Sequence, residues 1–368
     1  MDYFKVAQSE IKDVAEAVKS LKEQLSGVDA GLILYFVSPT YPIDAVSKEF
    51  ADVFAGARTV GCTTAGEIIS GKIGQNSIVA MAWSKASLKF LKIETLENIK
   101  EHCSEAVEKA FKSIEDALGK PMKCLDPTKY AGMVIIDGLS GCEEQLNDQL
   151  GNRTNVPIVG GSAGDDFKFK QTFLSVDGKV YSNAAVFLLL EPANGFVTLK
   201  TQSFCVTDKK LTPTKVEESR RMVVEFDGKP ASQAYAEALG ITAEELAKNL
   251  GQYPVGLVFD ENNFFVRSPQ RVEGSSVLFY CAVKEGLELM VLNPGNIVER
   301  TGADLQKCGK VKAIVDFCCC LRILELKRKD QTAAYSEIFN GIPSIGFSTY
   351  GESYIGHINQ TSTMLLLK

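Results

Sequence analysis

The chain has 368 residues, of which 45% are hydrophobic and 23% are charged, and its formal net charge is −6. This length predicts two domains with a large buried core, and the negative charge argues against nucleic acid as a partner. The N-terminus lacks the basic and apolar segments of a signal peptide, and no apolar run could span a bilayer, so we expect a cytoplasmic protein. Its ten cysteines are then expected to be reduced thiols.

The first half of the chain mixes predicted helices with runs of predicted strands. Apolar residues at helical spacing indicate helices, and short apolar runs between Gly and Pro indicate strands. The helices are predicted at 9–25, 43–54, 96–118 and 142–150, and the strands at 31–37, 58–62, 77–83, 87–93, 131–137, 156–160, 171–176, 179–190 and 195–206. Strands 77–83 and 87–93 are predicted to be neighbours, and Asp177 and Gly178 predict a hairpin turn.

The second half of the chain also mixes predicted helices with runs of predicted strands. Helices are predicted at 230–239, 242–250, 296–308 and 330–339, and strands at 222–226, 255–259, 263–267, 276–280, 287–292, 311–319, 345–350, 353–356 and 361–367. Consecutive strands mixed with long helices predict an α+β fold, with large, mostly antiparallel sheets and helices packed outside. We expect two domains, residues 1–206 and 207–368. The two halves resemble each other loosely, without a sequence repeat that could be aligned.

Two glycine-rich turns carry the strongest local signal, GCTTAGE at 61–67 and GGSAGDD at 160–166. Glycine tolerates positive φ and adds no side-chain bulk, so such turns can approach a small molecule closely. Residues 160–164 also match G-x-S-x-G, the nucleophile elbow of α/β-hydrolases, but an elbow must open a helix. Residues 165–170 alternate like a loop or strand, which favours a ligand-facing or capping Ser162 and leaves a serine hydrolase as an alternative.

The histidines and two arginines are further candidates. His102 is expected on the exposed face of helix 96–118, and His357 in an exposed turn, with haem ligation as the alternative. Arg267 and Arg322 follow apolar strands, where a guanidinium can capture a carboxylate or form a structural ion pair. The cysteines at 318–320 are predicted to be buried small hydrophobes.

Six motifs, in order along the chain, resemble those of the FIST proteins, an intracellular sensory family with paired N- and C-terminal domains. They lie at 61–68, 158–166, 265–268, 317–322, 346–352 and 359–361, and they place the family cysteine of F-x-C-x-x-R at Cys319. The resemblance covers nearly the whole chain and implies a small-ligand sensor rather than an enzyme. Ile358 stands where the family often has a histidine, and a shift of one residue in a strand reverses the face of His357.

The resemblance also implies ligands and partners. Amino acids are one ligand class of the family, and a subset binds haem and senses nitric oxide; partners include histidine kinases, cyclic-di-nucleotide enzymes and chemoreceptors, so we expect an output made in trans. In the leading interpretation an amino acid or small carboxylate binds without cofactor or metal, in a pocket shared by the two halves. Arg267 would pair with its anionic group and Glu352 with its ammonium. The predicted ligand-binding residues are Thr63, Thr64, Glu67, Ser162, Asp165, Asp166, Arg267, Cys319, Arg322, Tyr350, Glu352 and Asn359.

Overall fold

The structure, a computed structural model, describes residues 3–260 and 263–368. The chain forms two compact units. Unit 1 comprises the residues up to Thr201 together with Gly302–His357 and Ser362–Lys368, and unit 2 comprises Gln202–Thr301 and Ile358–Thr361. The chain therefore leaves unit 1 once for a long excursion and once for a short one. The division of the family domains after residue 206 stays a prediction.

The helices follow the apolar periodicities of the sequence. In the described residues they are α1 (Val14–Gln24), α2 (Ile43–Val53), α3 (Ile99–Leu118), α4 (Glu143–Gly151), α5 (Ala231–Leu239), α6 (Ala243–Asn249), α7 (Ile297–Lys307), α8 (Cys320–Arg328) and α9 (Thr332–Glu337). Local capping fixes some of their ends: the side chain of Asp13 accepts a hydrogen bond from Glu16 N at the start of α1. The helix over 320–328 was not predicted, because the three cysteines at 318–320 continue the apolar run of the preceding strand and give no signal of where that strand ends.

The first group of strands precedes the chain's excursion into unit 2. These strands are β1 (Phe4–Ser9), β2 (Ala30–Val37), β3 (Arg58–Thr63), β4 (Glu67–Ile69), β5 (Lys72–Ile73), β6 (Ile78–Ser84), β7 (Leu88–Glu97), β8 (Ala131–Ile136), β9 (Ile158–Ser162), β10 (Leu174–Val176), β11 (Lys179–Tyr181), β12 (Ala184–Pro192) and β13 (Phe196–Thr201). The Asp177–Gly178 hairpin is confirmed as the turn between β10 and β11.

The remaining strands complete the two units. In unit 2 lie β14 (Phe204–Leu211), β15 (Pro213–Glu217), β16 (Met222–Phe226), β17 (Lys229–Pro230), β18 (Val255–Asp260), β19 (Asn263–Arg267), β20 (Pro269–Glu273), β21 (Ser276–Phe279) and β22 (Leu289–Pro294). The chain ends with β23 (Ala313–Cys319), β24 (Ser344–Thr349), β25 (Glu352–Tyr354), β26 (His357–Ile358) and β27 (Ser362–Leu367). Unit 2 contains a four-stranded and a five-stranded sheet.

Three six-stranded sheets have the same internal plan. Their orders are β1-β6-β2-β3-β10-β11, β7-β12-β8-β9-β25-β26 and β13-β27-β23-β24-β4-β5. At the centre of each is one parallel pair, β2 with β3, β8 with β9 or β23 with β24, connected through α2, α4 or α8 and α9. Antiparallel strands flank each pair. This confirms the α+β fold class with mostly antiparallel sheets.

The three sheets exchange short strands in a cycle. The chain that leaves β3 contributes β4 and β5 to the third sheet, the chain that leaves β9 contributes β10 and β11 to the first, and the chain that leaves β24 contributes β25 and β26 to the second. The plan is thus an internal threefold repeat, although no repeat was detected in the sequence. The segments that carry the chain from one sheet to the next therefore occupy equivalent positions in the three sheets.

The core of unit 1 has a central cluster and further clusters between its sheets and the helices outside them. Residues such as Phe36, Met133 and Phe317, one from each sheet, share the central cluster. The outer clusters pack α1 and α2 on the first sheet and α3 and α4 on the second, which confirms helices outside the sheets. The prediction that 77–83 and 87–93 are neighbours was wrong, because β6 pairs with β1 and β2, whereas β7 pairs with β12. Closeness in sequence does not fix the pairing, because the short segment between the two strands carries the chain from the first sheet to the second.

Candidate functional site

Three turns of unit 1 lie at equivalent positions, directly after the second strand of each parallel pair. We call them turn 1 (Thr63–Glu67), turn 2 (Ser162–Asp166) and turn 3 (Ser348–Glu352). With the preceding two residues they read GCTTAGE, GGSAGDD and GFSTYGE. All three begin with glycine, have a hydroxyl residue third and end on a carboxylate. The sequence-based prediction included all three segments but missed that they are copies of one another.

The three turns contact one another directly. In each contact the third residue of one turn donates its backbone N–H to the first residue of another. The bonds run from Gly164 to Thr63 (3.0 Å), from Tyr350 to Ser162 (3.0 Å) and from Ala65 to Ser348 (3.1 Å). Within this set of three bonds each turn donates once and accepts once, so the three bonds close a ring. The ring satisfies backbone groups that would otherwise be buried without partners.

The glycines two residues before turn 2 and turn 3 allow the paired strands to approach closely. A Cβ built on Gly160 would lie 1.9 Å from the carbonyl oxygen of Val134, its partner on β8, and one on Gly346 would lie 2.2 Å from that of Asp316 on β23. No side chain fits at such a distance. The close approach that these glycines permit is therefore to the neighbouring strand.

The carboxylate of turn 1 is buried and fully engaged. Glu67 is 1% exposed, accepts a hydrogen bond from Thr64 Oγ1 at 2.5 Å, and accepts two more from the N–H and hydroxyl of Ser77. Burial raises the pKa of Glu67 above its ordinary value, and these hydrogen bonds lower it in part. In turn 3, Thr349 donates to Glu352 in the same way.

Turn 2 differs, because Ala163 stands where turns 1 and 3 have a threonine. Its main hydrogen-bond acceptor is Asp165, the sixth residue of GGSAGDD, rather than the acid that ends the turn. Asp165 accepts hydrogen bonds from the backbone N–H groups of Phe169, Lys170 and Gln171 and from the hydroxyl of Tyr350 at 2.6 Å. Burial raises its pKa, but the hydrogen bonds from Tyr350 and the amides outweigh this and hold the pKa below the ordinary value. Asp165 thus organises the loop after turn 2.

The neighbouring Asp166 has no such set of donors. Its Oδ1 is buried without a hydrogen-bond partner, and its Oδ2 lies 3.5 Å from the hydroxyl of Ser38. Burial raises the pKa of Asp166, with Lys168 and Ser38 opposing the shift. The residue has φ +54°, and Phe167 and Phe169 follow with φ +60° and +49°. Left-handed conformations of such bulky residues are strained, and strain of this kind concentrates at functional sites.

An aromatic surface adjoins this loop. Phe169 is 55% exposed, and its ring stacks on that of Tyr350 with centroids 5.0 Å apart. Phe167 contacts both rings at wider angles. Turn 2 and its loop therefore combine a buried carboxylate oxygen, exposed aromatic faces and strained backbone.

Other predicted residues have internal roles. Thr63 Oγ1 accepts from Phe173 N at 3.0 Å, and the Ser162 hydroxyl donates to Glu143 at 3.4 Å. No helix follows Ser162 within the described segment 163–173, as the sequence indicated. Cys319 is buried at the start of α8, and the other two cysteines of the run are buried as expected.

The two predicted arginines lie in different surroundings. Arg322 is 2% exposed. Burial lowers the pKa of its guanidinium, but Cys318, Tyr335 and Asp316 raise it, and the net pKa lies above the ordinary value. Arg267 is half-buried in unit 2, where it donates to the carbonyl groups of Ala282 and Val266.

The polar residues beside Arg267 in unit 2 form a local network. Asn359 Oδ1 accepts from Ser268 N at 3.4 Å, and its Nδ2 donates to Ile358 O. Gln360 accepts from the hydroxyl of Ser268 at 2.6 Å. Asn359 thus fixes the short segment 358–361 to the end of β19 within unit 2.

One expectation about the histidines was wrong. His102 is exposed on α3 as predicted, but His357 is 3% exposed rather than an exposed turn residue. It lies on β26 at the edge of the second sheet, and its Nδ1 is 3.2 Å from Glu144 Oε1 at the start of α4. The spacing in sequence gives no hint of this, because the cyclic exchange of strands brings β26 and α4 together.

Two family sequence patterns match this chain. The sequence pattern of the FIST N domain matches residues 31–229, and that of the FIST C domain matches residues 231–354. An uncharacterised protein of Methanocaldococcus jannaschii is 25% identical over 337 residues, which are 85% of this chain and 61% of that protein's length. A structure of PurLQS from Thermotoga maritima aligns over 99% of this chain and 73% of that one, at 11% identity and a TM-score of 0.19.

FIST domains are sensory domains of signal transduction. Among the described residues, no helix combines the length and apolar character that a membrane crossing requires. The two domain patterns together span residues 31–354 with one residue between them, and the motifs that resemble the family lie on the turns and on β19, β23 and the segment after β26. The chain belongs to the FIST family.

Proposed function

We propose that this protein senses a small molecule that carries an amino group, an amino acid being the simplest class, and passes the signal to a partner in trans. The observation that carries the proposal is Asp166, whose Oδ1 is buried without a hydrogen-bond donor. A buried carboxylate without a donor is costly, and a ligand ammonium supplies both donors and the opposite charge.

The surroundings of Asp166 support an ammonium over a neutral donor. The exposed ring of Phe169 and the ring of Tyr350 stack beside the loop that bears Asp166, and aromatic faces attract cations. Burial also raises the pKa of Asp166, and a cation that binds beside the carboxylate stabilises its ionised form. An uncharged ligand would leave this cost in place.

Arg267 is a second and separate determinant, in unit 2. Among the described residues, no carboxylate lies within ion-pair distance of its guanidinium, whose hydrogen bonds go to backbone carbonyl groups. An arginine in this state suits a ligand carboxylate. The two determinants are tested by separate variants, and the first does not depend on the second.

Isothermal titration calorimetry tests the ammonium. Each amino acid is compared with the carboxylic acid that lacks its amino group, on the wild-type chain and on Asp166→Asn. We expect an amino acid to bind the wild type and to bind Asp166→Asn at least tenfold more weakly, because the amide has no negative charge. Asp116→Asn, an exposed residue on α3, makes the same change in net charge and should bind as the wild type does. Equal affinity of Asp166→Asn and wild type would refute the proposal.

The carboxylate determinant is tested with small carboxylic acids that lack an amino group. Arg267→Gln should bind them more weakly than the wild type does, and Arg271→Gln, an exposed arginine of unit 2, should bind them as the wild type does. Unchanged carboxylate affinity in Arg267→Gln would assign Arg267 a structural role. For the partner, histidine kinases, cyclic-di-nucleotide enzymes and chemoreceptors are the classes to examine by ligand-dependent co-purification.

Neither alternative function has comparable support. A haem would need a nitrogen of His357 facing an apolar slot, but Nδ1 faces Glu144 and a Cβ on Gly351 would lie 2.1 Å from Nε2, so the residues present do not fit a porphyrin. For a serine hydrolase, the hydroxyl of Ser162 bonds a carboxylate rather than an imidazole, and no helix follows it in the described segment 163–173. Labelling of Ser162 by a fluorophosphonate would overturn this second conclusion.

A further inference from the structure

We propose a binding site for a divalent transition metal ion, such as Zn²⁺ or Mn²⁺, formed by Glu143, Glu144 and His357. Each offers one ligand atom, and these atoms all lie within 4.8 Å of one another. The two carboxylates come from the first turn of α4 and the imidazole from β26. All three residues belong to unit 1. The proposal is independent of the proposed amino-acid site.

The imidazole is the observation that points to a ligand. His357 is 3% exposed, and both ring nitrogens are buried without a hydrogen bond. Nδ1 lies 3.2 Å from Glu144 Oε1, close enough for an ion pair but without hydrogen-bond geometry. A buried imidazole without hydrogen bonds is costly, whereas a metal ion coordinates a nitrogen lone pair directly. The position of Nδ1 beside a carboxylate oxygen is therefore what shared coordination requires.

The two carboxylates lie where they could share a metal ion with His357. Glu143 is 1% exposed, and its Oε1 accepts a hydrogen bond from the Ser162 hydroxyl at 3.4 Å. Such outer contacts orient metal ligands and are part of most metal sites. Two adjacent carboxylates repel each other when both are ionised, and a cation between them removes that repulsion.

The donor set selects the class of ion. One imidazole nitrogen and two carboxylate oxygens suit Zn²⁺, Mn²⁺ or Fe²⁺, whereas Ca²⁺ and Mg²⁺ prefer oxygen alone. Three protein ligands leave a position for water or for a further ligand. Ser162 belongs to turn 2, and a Cβ on Gly351 of turn 3 would lie 2.1 Å from His357 Nε2. A bound ion would therefore tie α4 and β26 to two of the three turns.

Titration of the chelator-treated full chain with ZnCl₂ and MnCl₂ tests the site. We expect one equivalent of metal to bind the wild type, and we expect Glu144→Gln and His357→Gln to bind at least tenfold more weakly. The controls are His102→Gln and Glu101→Gln, exposed residues of α3, which should bind as the wild type does. Pulsed paramagnetic resonance of the Mn²⁺ complex should show a coupled nitrogen that is lost in His357→Gln.

The outcomes separate the alternatives. His357→Gln removes a buried ring and could unfold the chain, but the Glu144 side chain is 27% exposed and Glu144→Gln keeps its shape, so that variant alone can refute the site. Binding of equal affinity in wild type and Glu144→Gln, or a Mn²⁺ complex without coupled nitrogen, would show adventitious surface binding. If neither metal binds the wild type, the proposal is wrong.

Discussion

Turn 1 and turn 2 occupy the same place in the same supersecondary unit, yet they treat their carboxylates differently. In turn 1, Thr64 and Ser77 satisfy Glu67, which ends the turn in a short strand. In turn 2, Ala163 offers no hydroxyl, Asp165 is drawn into the following loop, and Asp166 keeps a buried oxygen without a donor. Where the threonine is present, in turns 1 and 3, it donates to the acid that ends the turn, and where it is absent, in turn 2, that acid keeps an oxygen without a donor. The copy that departs from the pattern is the one free to bind something else.

The largest effect is expected where the three turns are alike, at the glycine that begins each segment. Gly160→Ala would place a methyl group 1.9 Å from the carbonyl oxygen of Val134, so β8 and β9 would have to separate. We expect a loss of about 3 kcal/mol in the free energy of unfolding, measured by urea denaturation.

Gly151 provides the control for this substitution. It ends α4, and a Cβ built there meets nothing within 4 Å, so Gly151→Ala should be neutral or slightly stabilising. If Gly160→Ala were as stable as Gly151→Ala, the close approach of the parallel strands would not be a requirement of the repeat.

The next effect contrasts two adjacent acids. Asp165→Asn should cost about 2 kcal/mol at neutral pH, because it weakens the charge-assisted hydrogen bonds from Tyr350 and three amides. The pKa of Asp165 is held below the ordinary 3.8, so its contribution is present above pH 3.8 and is lost as the pH falls through the lower folded-state pKa. The difference between wild type and Asp165→Asn should therefore shrink in acid.

Asp166 should behave in the opposite way. Burial raises its folded-state pKa above 3.8, so its contribution is present below pH 3.8 and is lost as the pH rises through the folded-state pKa. Relative to wild type, Asp166→Asn should gain stability between acid and neutral pH, as followed by urea denaturation at a series of pH values. Parallel pH profiles for the two variants would contradict the distinction between the two acids.

How far the sequence predicts this molecule depends on the range of the interactions. Local signals were sufficient for α2, for the turn at Asp177 and for the loop after Ser162, because these depend on a few adjacent residues. The partners of β6 and β7 depend on which sheet each strand joins, and the burial of His357 depends on a strand exchanged between sheets. Neither is decided by adjacent residues. The repeat itself was visible in GCTTAGE and GFSTYGE, but the divergent GGSAGDD, which lacks the threonine, conceals the period.

A smaller effect is expected from the hydroxyl that distinguishes turn 1. Thr64→Ala, which copies the residue of turn 2, removes a 2.5 Å hydrogen bond to the buried Glu67 and should cost about 1.5 kcal/mol. Thr128→Ala, an exposed position, is the matched control. Thermal unfolding measures the stability of both variants. If Thr64→Ala were as stable as the wild type, Ser77 alone would satisfy Glu67. The absence of a hydroxyl at Ala163 would then not explain why Asp166 lacks a donor.

The smallest effect on stability is expected where backbone strain is relieved, and it compares Ile355 with Phe169 in the loop after turn 2. Ile355, in the turn between β25 and β26, has φ +62° and is 77% exposed, a costly conformation for a β-branched residue. Asparagine tolerates it, so Ile355→Asn should stabilise the chain by about 1 kcal/mol, seen as a higher midpoint of thermal unfolding, with ligand affinity unchanged. Phe169→Asn relieves similar strain but removes an exposed ring of the proposed ammonium site. If both variants gain stability and only Phe169→Asn loses ligand affinity, the strained segment after turn 2 takes part in binding. If Ile355→Asn loses ligand affinity to the same extent, the loss is not specific to that segment.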